Sequence, residues 1–262
     1  MTLWQAILLG LIQGLTEFLP VSSRGHLALA QALMPGFSQP GLVFDVALHL
    51  GTALAIIALE LPRLVEAVRE RWVVKLGGQL ILAMLATAAI ALPLRHWAEE
   101  AVRYPLLVAA GFLVTAMLLL AVRGRDGSVE GPDMGWGAAG LVGVAQGLVV
   151  LLPGMSRSGS TIAAGLGAGL SRRWAADFSF LLSIPAILSA AVVEGWTHRA
   201  ELAVASTLVG PLLAGTITAA VTGFAALILV RRAVQGGRLH LFAYYLVPMA
   251  VLVVVLHLAG IW

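Results

Sequence analysis

The chain contains no cysteine, which excludes disulfides and thiolate metal sites. Charge is scarce too: Asp, Glu, Lys and Arg make up 11% of the 262 residues, against about 25% in an ordinary soluble domain. No basic cluster precedes the first apolar run, since the first cationic residue is Arg24; the start does not read as a secretory signal peptide, and residue 1 onward is expected to be mature protein. A solvated basic face is missing as well, despite a formal charge of +3 and a pI near 9.9. Lys and Arg fall in short gaps between apolar runs, a distribution that reports topology and excludes a nucleic-acid partner.

What fills the chain is apolar: 60% of residues are hydrophobic and the mean hydropathy is +0.97. A water-soluble fold could not hide that much apolar surface. About 20 apolar residues cross a bilayer as a helix, and runs near that length recur at 43–60, 76–94, 104–122, 176–195, 204–230 and 239–260. Two further stretches, near 3–34 and 134–170, are broken midway at Pro20-Val21-Ser22-Ser23-Arg24-Gly25-His26 and at Pro153-Gly154-Met155-Ser156-Arg157-Ser158-Gly159-Ser160. Each reads as a half-helix, a turn and a second half-helix, a form tolerated at membrane depth only where protein buries it or where it lines a cavity. The expected fold is all-α: a polytopic integral membrane protein with six spanning helices and two broken re-entrant helix pairs, forming a single transmembrane domain over 1–262.

The broken stretches resemble each other. A shift of 133 superimposes Gln13, Gly14, Leu15, Leu19, Pro20, Ser23 and Arg24 on Gln146, Gly147, Leu148, Leu152, Pro153, Ser156 and Arg157, seven identities in twelve positions. A shift of 134 then brings Phe44 and Leu48 onto Phe178 and Leu182. An internal duplication is expected, with repeats at about 1–125 and 134–262. Cytoplasmic loops are enriched in Lys and Arg. An alternating assignment puts Arg63, Arg69, Arg71, Lys75, Arg123, Arg125, Arg172, Arg173, Arg231, Arg232 and Arg238 inside and leaves Arg95, Arg103 and Arg199 outside. The two broken pairs then enter from opposite sides, which makes the repeats inverted, with their sites near the midplane and both termini outside.

Glu17 carries the strongest functional signal, because an ionised carboxylate at membrane depth costs about 2.5 to 3.5 kcal/mol on insertion scales. Gln13 stands four residues before it on the same helix face. The structural alternative for Glu17 is to cap a neighbouring half-helix or to pair with Arg157. Ser22 and Ser23 are good N-cap residues for a half-helix starting near Gly25, and Ser156, Ser158, Ser160 and Thr161 follow Pro153 similarly. Two half-helix N-termini can therefore face one space and attract an anion. Arg157 offers phosphate a planar fork of donors. His26, three residues beyond Ser23, is in reach of a serine hydroxyl if the turn is tight. His49 lies within a span and its facing is open. Asp45 and Asp177 read as first-turn carboxylates favoured by the helix dipole; His96, His198, His240 and His257 read as interfacial. This inventory fits both a lipid phosphate hydrolase and a transporter or flippase of an anionic lipid. An ion channel fits less well, because serine with arginine is not a carbonyl or carboxylate ring.

The segment from Gln13 through Glu17 to Ser22, Ser23 and His26 resembles the (E/Q)xxxE box and Ser-Ser-His stretch of bacterial undecaprenyl-diphosphatases of the BacA/UppP type, associated with bacitracin resistance. Pro153-Gly154-Met155-Ser156-Arg157-Ser158-Gly159-Ser160-Thr161 is similar to that family's PGxSRSGxT box, and the segments Phe44–Gly51 and Phe178–Pro185 also resemble family segments. The sequence lacks the Lys-x6-Arg-Pro element of the acid-phosphatase-like class. The resemblance implies hydrolysis of C55 isoprenyl diphosphate to the monophosphate, recycling the peptidoglycan carrier lipid. The setting implied is the bacterial cytoplasmic (inner) membrane, multi-pass, with the active site open to the periplasm, and a divalent cation (Mg2+ or Ca2+) as aid. It further implies Ser23 as nucleophile, His26 as acid or base, Glu17 as support for metal and substrate, and Arg157 as a phosphate clamp. Ser156, Ser158, Gly159, Thr161, Ser22 and Gln13 are the remaining expected substrate contacts. The duplication also favours Ser23, since it aligns with Ser156 while Ser22 aligns with Met155. Two positions depart from the best-known variant: Gln13 replaces a Glu, and Arg24 stands where a small hydroxyl residue is common.

Overall fold

A computed structural model of the chain describes residues 1–34, 37, 42–197 and 209–262. His198, Arg199 and the start of the 204–230 run lie outside the described residues. Among the described residues the helices are α1 Leu3–Phe18, α2 Ser23–Ala32, α3 Leu42–Arg69, α4 Val73–Ala91, α5 Arg95–Ala101, α6 Pro105–Ala121, α7 Trp136–Leu148, α8 Arg157–Gly167, α9 Arg172–Thr197, α10 Val209–Gln235 and α11 Leu241–Leu258. Extended pairing among them is limited to one isolated bridge, Val129 with Leu170.

Helices α3, α4, α9, α10 and α11 are long and apolar enough to cross a membrane, and α5 with α6, bent by 105°, supplies a sixth crossing if the pair is one span. The chain is a polytopic all-helical membrane protein. Its outer helices turn apolar side chains outward, Val74, Ile81 and Leu85 on α4 and Val251, Val255 and Leu258 on α11, which suits lipid as the solvent. Where lipid replaces water, helices associate through close backbone approach rather than hydrophobic burial. Gly10 and Gly14 of α1 show this: a Cβ at either would collide with the backbone of α10 at Gly215 or Ala219.

Both broken stretches are helical hairpins. In the first, Met1 before α1, Met34 after α2 and Leu212 near the start of α10 pack against one cluster that includes Ala6, Leu9 and Leu27. In the second, Val129 before α7 bonds Gly169 after α8, and Gly237 beyond the end of α10 lies against Arg172. The open ends of the hairpins thus lie at opposite ends of α10, and their closed tips meet between them. There Ser22 Oγ donates to the Pro153 carbonyl at 3.0 Å and Ser158 Oγ to the Leu19 carbonyl at 3.1 Å.

Two charge assignments from the sequence are corrected. Arg63 and Arg231 are not loop residues; they lie inside α3 and α10. A helix of 28 residues such as α3 is about 42 Å long at 1.5 Å per residue, so it outruns its apolar stretch. Asp177 is not in a first turn, because α9 begins at Arg172. It is fully buried and lies 2.6 Å from Arg63 Nη2 and 3.0 Å from Arg231 Nη2. Arg231 also pairs with the fully buried Glu60. Two carboxylates and two guanidiniums therefore tie α3, α9 and α10 together. Asp45 does sit in the first turn of its helix, α3.

Candidate active site

Each hairpin tip is a capped helix start. Ser22 caps α2 by accepting the Gly25 N–H at 3.3 Å, and Ser156 caps α8 by accepting the Gly159 N–H at 3.1 Å. Ser22 therefore corresponds to Ser156, and Gly25 to Gly159. This corrects the register read from the sequence by one residue: the second link is one residue longer, so the shift changes from 133 to 134 between the prolines and the caps rather than after them. Ser23 and Arg157 become equivalent as first residues of their helices. Ser22 holds this position at a φ of 71°, in the left-handed region that costs a serine of order 1 kcal/mol or more, and its two hydrogen bonds impose it.

The two first residues converge on Glu17. Ser23 Oγ donates to Glu17 Oε2 at 2.6 Å, and Arg157 Nη2 donates to Glu17 Oε1 at 2.5 Å. Gln13 Nε2 adds a bond to Oε2 at 3.1 Å from one helical turn back. Both readings of Glu17 thus meet in one group: it pairs with Arg157 and holds a serine hydroxyl. Arg157 still has its buried Nη1 without a hydrogen-bond partner.

A cavity of about 150 Å³ opens at this junction, walled by Glu17, Ser22, Ser23, Arg24, Ser156 and Arg157, with His49 and the apolar Val149, Val150, Pro153 and Met155. His49, whose facing the sequence leaves open, joins the wall with Nε2 3.9 Å from Glu17 Oε2. Its Nδ1 meets the Asp45 carbonyl at 2.8 Å; a carbonyl only accepts, so Nδ1 carries the proton.

The other expected site residues stand behind this wall. Gln13 is fully buried behind Glu17. Ser158 spends its hydroxyl on Leu19, and Thr161 bonds Ser179 Oγ at 2.6 Å. Gly159 leaves room for Pro20 and Thr115, since a Cβ there would press on both. His26 is not brought to Ser23. Its Nδ1 lies 2.8 Å from the Ser22 carbonyl and its Nε2 2.8 Å from the Tyr245 hydroxyl, with the imidazole stacked on the Tyr245 ring at 11° and 5.7 Å. Nδ1 must donate to that carbonyl, so in the neutral ring Nε2 accepts from the tyrosine.

Tyr245 and Thr115 are the contributors that sequence reasoning missed. Thr115 Oγ1 accepts the Ser156 N–H at 2.9 Å and so supports the second cap from α6. Tyr245 is 219 residues from His26 in sequence; a phenol within the apolar run of α11 was the available signal.

A hard cation takes oxygen ligands, and Mg2+ commonly binds through one or two carboxylates plus substrate phosphates. Glu17 supplies the carboxylate from the cavity wall, while Gln13 turns its Nε2 to Glu17 and lies outside that wall. Among the described residues no three His, Asp or Glu side chains gather as a metal cluster. The donors fit a cation held jointly with substrate.

A protein named undecaprenyl-diphosphatase from Desulfosudis oleivorans is 43% identical over 264 residues, covering 92% of this chain and 93% of the relative. Relatives of the same name from Carboxydothermus hydrogenoformans and Syntrophotalea carbinolica are 38% identical over 266 residues, with 99% of each chain covered, and 40% identical over 258 residues, with 94% and 95% covered. The family described as bacitracin resistance protein BacA matches residues 6–252, a span that contains both hairpin tips and the residues of the cavity wall. The chain belongs to the bacitracin resistance protein BacA family.

Proposed function

We propose that this chain hydrolyses the terminal phosphate of undecaprenyl diphosphate and so returns the carrier lipid monophosphate to peptidoglycan synthesis. It is a phosphatase of the membrane, a hydrolase acting on a phosphoric anhydride. The observation that carries the reading is the junction itself: a serine hydroxyl held on a carboxylate at 2.6 Å, next to a guanidinium nitrogen with no partner, at two helix N-termini. That set binds a phosphate and presents it to a nucleophile.

In the proposed reaction Ser23 Oγ attacks the terminal phosphorus as its proton passes to Glu17 Oε2. The bond to the bridging oxygen breaks, the lipid monophosphate leaves, and water then hydrolyses the phosphoserine. Arg157 and the first N–H groups of α2 and α8 bind the equatorial oxygens, where negative charge is favoured. Ser22 and Ser156 hold the two helix starts in place, while Gln13, Ser158, Gly159 and Thr161 fix the elements behind them. His26 serves by anchoring the Ser22 carbonyl and thus the turn that presents Ser23. Glu17 would hold the divalent cation together with the substrate's phosphate oxygens, and the cation would supply charge neutralisation on the diphosphate.

The reading extends to topology. The halves 1–125 and 134–262 are an inverted repeat in a bacterial cytoplasmic membrane, with both termini and the cavity mouth on the periplasmic side. Its supports are the charge bias of the loops and the opposite open ends of the hairpins.

The test is phosphate release by purified, detergent-solubilised protein given a C15 or C55 diphosphate, with and without chelator. Release that chelator suppresses is expected. A lipid carrier would release none, because detergent removes the two sides between which it moves its cargo; that result would leave transport of an anionic polyprenyl phosphate as the function.

A further inference from the structure

We infer that Arg24 is a second phosphate-binding cation of the cavity, holding the chain-side phosphate of the diphosphate and the monophosphate product while Arg157 holds the terminal phosphate. The inference rests on the phosphatase reading and adds to it how the diphosphate is oriented.

The charge balance of the wall is the first ground. Glu17, Arg24 and Arg157 are its ionised side chains, with His49 beside them. Glu17 and Arg157 are paired at 2.5 Å, so their charges cancel and the remaining positive charge belongs to Arg24. Among the described residues no carboxylate lies within ion-pair distance of Arg24; the acids whose charges reach it are Asp45 on α3, Glu194 on α9 and Glu99 on α5. A guanidinium in the wall of this cavity without a contact ion pair has its donors left for an anionic ligand.

Depth is the second ground. Both arginines line the cavity; the Arg157 side chain is 17% exposed and held on Glu17, whereas Arg24 presents more of its surface outside the protein, which puts Arg24 on the more open side of the wall. A lipid diphosphate reaches the cavity head first, with its hydrocarbon tail trailing to the bilayer. The terminal phosphate goes deepest and the chain-side phosphate stops nearer the mouth. Arg24 directly follows Ser23 in the first turn of α2, so a head group placed for attack by Ser23 has its inner phosphate within reach of Arg24.

The experiment is steady-state phosphate release from farnesyl diphosphate in neutral detergent, which removes anionic lipid head groups as competing ligands. Wild type, Arg24→Gln and Arg24→Lys are compared, with farnesyl monophosphate and inorganic phosphate as inhibitors. Losing charge-assisted bonds to one phosphate gives Arg24→Gln a KM and a farnesyl monophosphate Ki each raised about tenfold, with a smaller effect on kcat. The Ki of inorganic phosphate, which binds the deep position, stays near wild type, and Arg24→Lys recovers part of the loss. The proposal is overturned if KM and the monophosphate Ki stay at wild-type values, or if the Ki of inorganic phosphate rises equally. A wild-type protein that releases no phosphate overturns the phosphatase reading instead; calorimetric binding of the same two inhibitors to wild type and Arg24→Gln then still decides whether Arg24 holds the chain-side phosphate.

Discussion

Ser23 and Arg157, the first residues of two short helices 134 positions apart, bind the two oxygens of a single carboxylate, Glu17. Two hairpins thus form one site with unlike halves: one tip offers a hydroxyl and the other a guanidinium. Because Glu17 comes from the first hairpin alone, the two tips cannot exchange roles. The carboxylate holds Arg157 in place and gives the Ser23 proton somewhere to go.

The capping roles separate Ser22 from its neighbour. Ser22→Ala removes the α2 cap and the bond to Pro153, and we predict a loss of about 1 kcal/mol or more in stability with turnover only partly reduced. Ser22→Gly should fare better than Ser22→Ala, because glycine accepts the φ of 71° without strain and costs a cap only a few tenths of a kcal/mol relative to serine. Thermal unfolding in detergent checks the order; an alanine variant at least as stable as the glycine variant contradicts it.

Arg157→Lys keeps the charge but gives up the planar fork by which one nitrogen holds Glu17 and another remains for phosphate. Activity should fall at least about tenfold, the scale of a lost charge-assisted hydrogen bond, in protein that elutes as wild type from a sizing column. Near-normal turnover by the lysine variant would show that Arg157 is only an ion-pair partner of Glu17.

His26 and Tyr245 should behave as a pair. Their 2.8 Å bond and stacked rings predict that His26→Ala and Tyr245→Phe couple in a double-mutant cycle of unfolding by about 0.5 kcal/mol or more. Additive effects would place the two rings apart. If His26 works through the α2 turn, His26→Ala should also leave more residual turnover than Ser23→Ala.

The ion cluster of Glu60, Arg63, Asp177 and Arg231 predicts a different asymmetry. Arg231→Leu leaves the buried Glu60 without its ion-pair partner and Asp177 with Arg63 as its close cation, and should cost about 3 to 5 kcal/mol, while Arg231→Leu combined with Glu60→Gln should recover part of that. A single variant with wild-type stability would mean that the buried acids do not depend on Arg231.

Much of this is legible in the amino-acid sequence. The apolar runs gave the spans, because a bilayer fixes how long such a run must be. Pro20 and Pro153 with their serines gave both hairpin tips, and Glu17, Ser23 and Arg157 stood out because polar side chains at that depth need a reason. The missing parts share a physical cause. Identity matching could not see which serine caps each helix, since the cap is defined by a bond to the glycine three residues on; one residue of slip made Ser23 the partner of Ser156 rather than of Arg157. Spacing placed His26 near Ser23 but not its ring, whose direction depends on the phase of α2 and on Tyr245 from the far end of the chain. Arg63 and Arg231 passed for loop residues because helices continue beyond their apolar stretches when a buried partner such as Asp177 waits there.

Phosphate release from undecaprenyl diphosphate by purified wild-type and Ser23→Ala proteins, measured side by side in detergent, tests the central claim most directly. Wild type should turn over, and Ser23→Ala should lose about a thousandfold or more, as nucleophile removal does in other enzymes with a covalent intermediate. A Ser23→Ala protein that releases phosphate at close to the wild-type rate would contradict the account and leave a water molecule as the nucleophile.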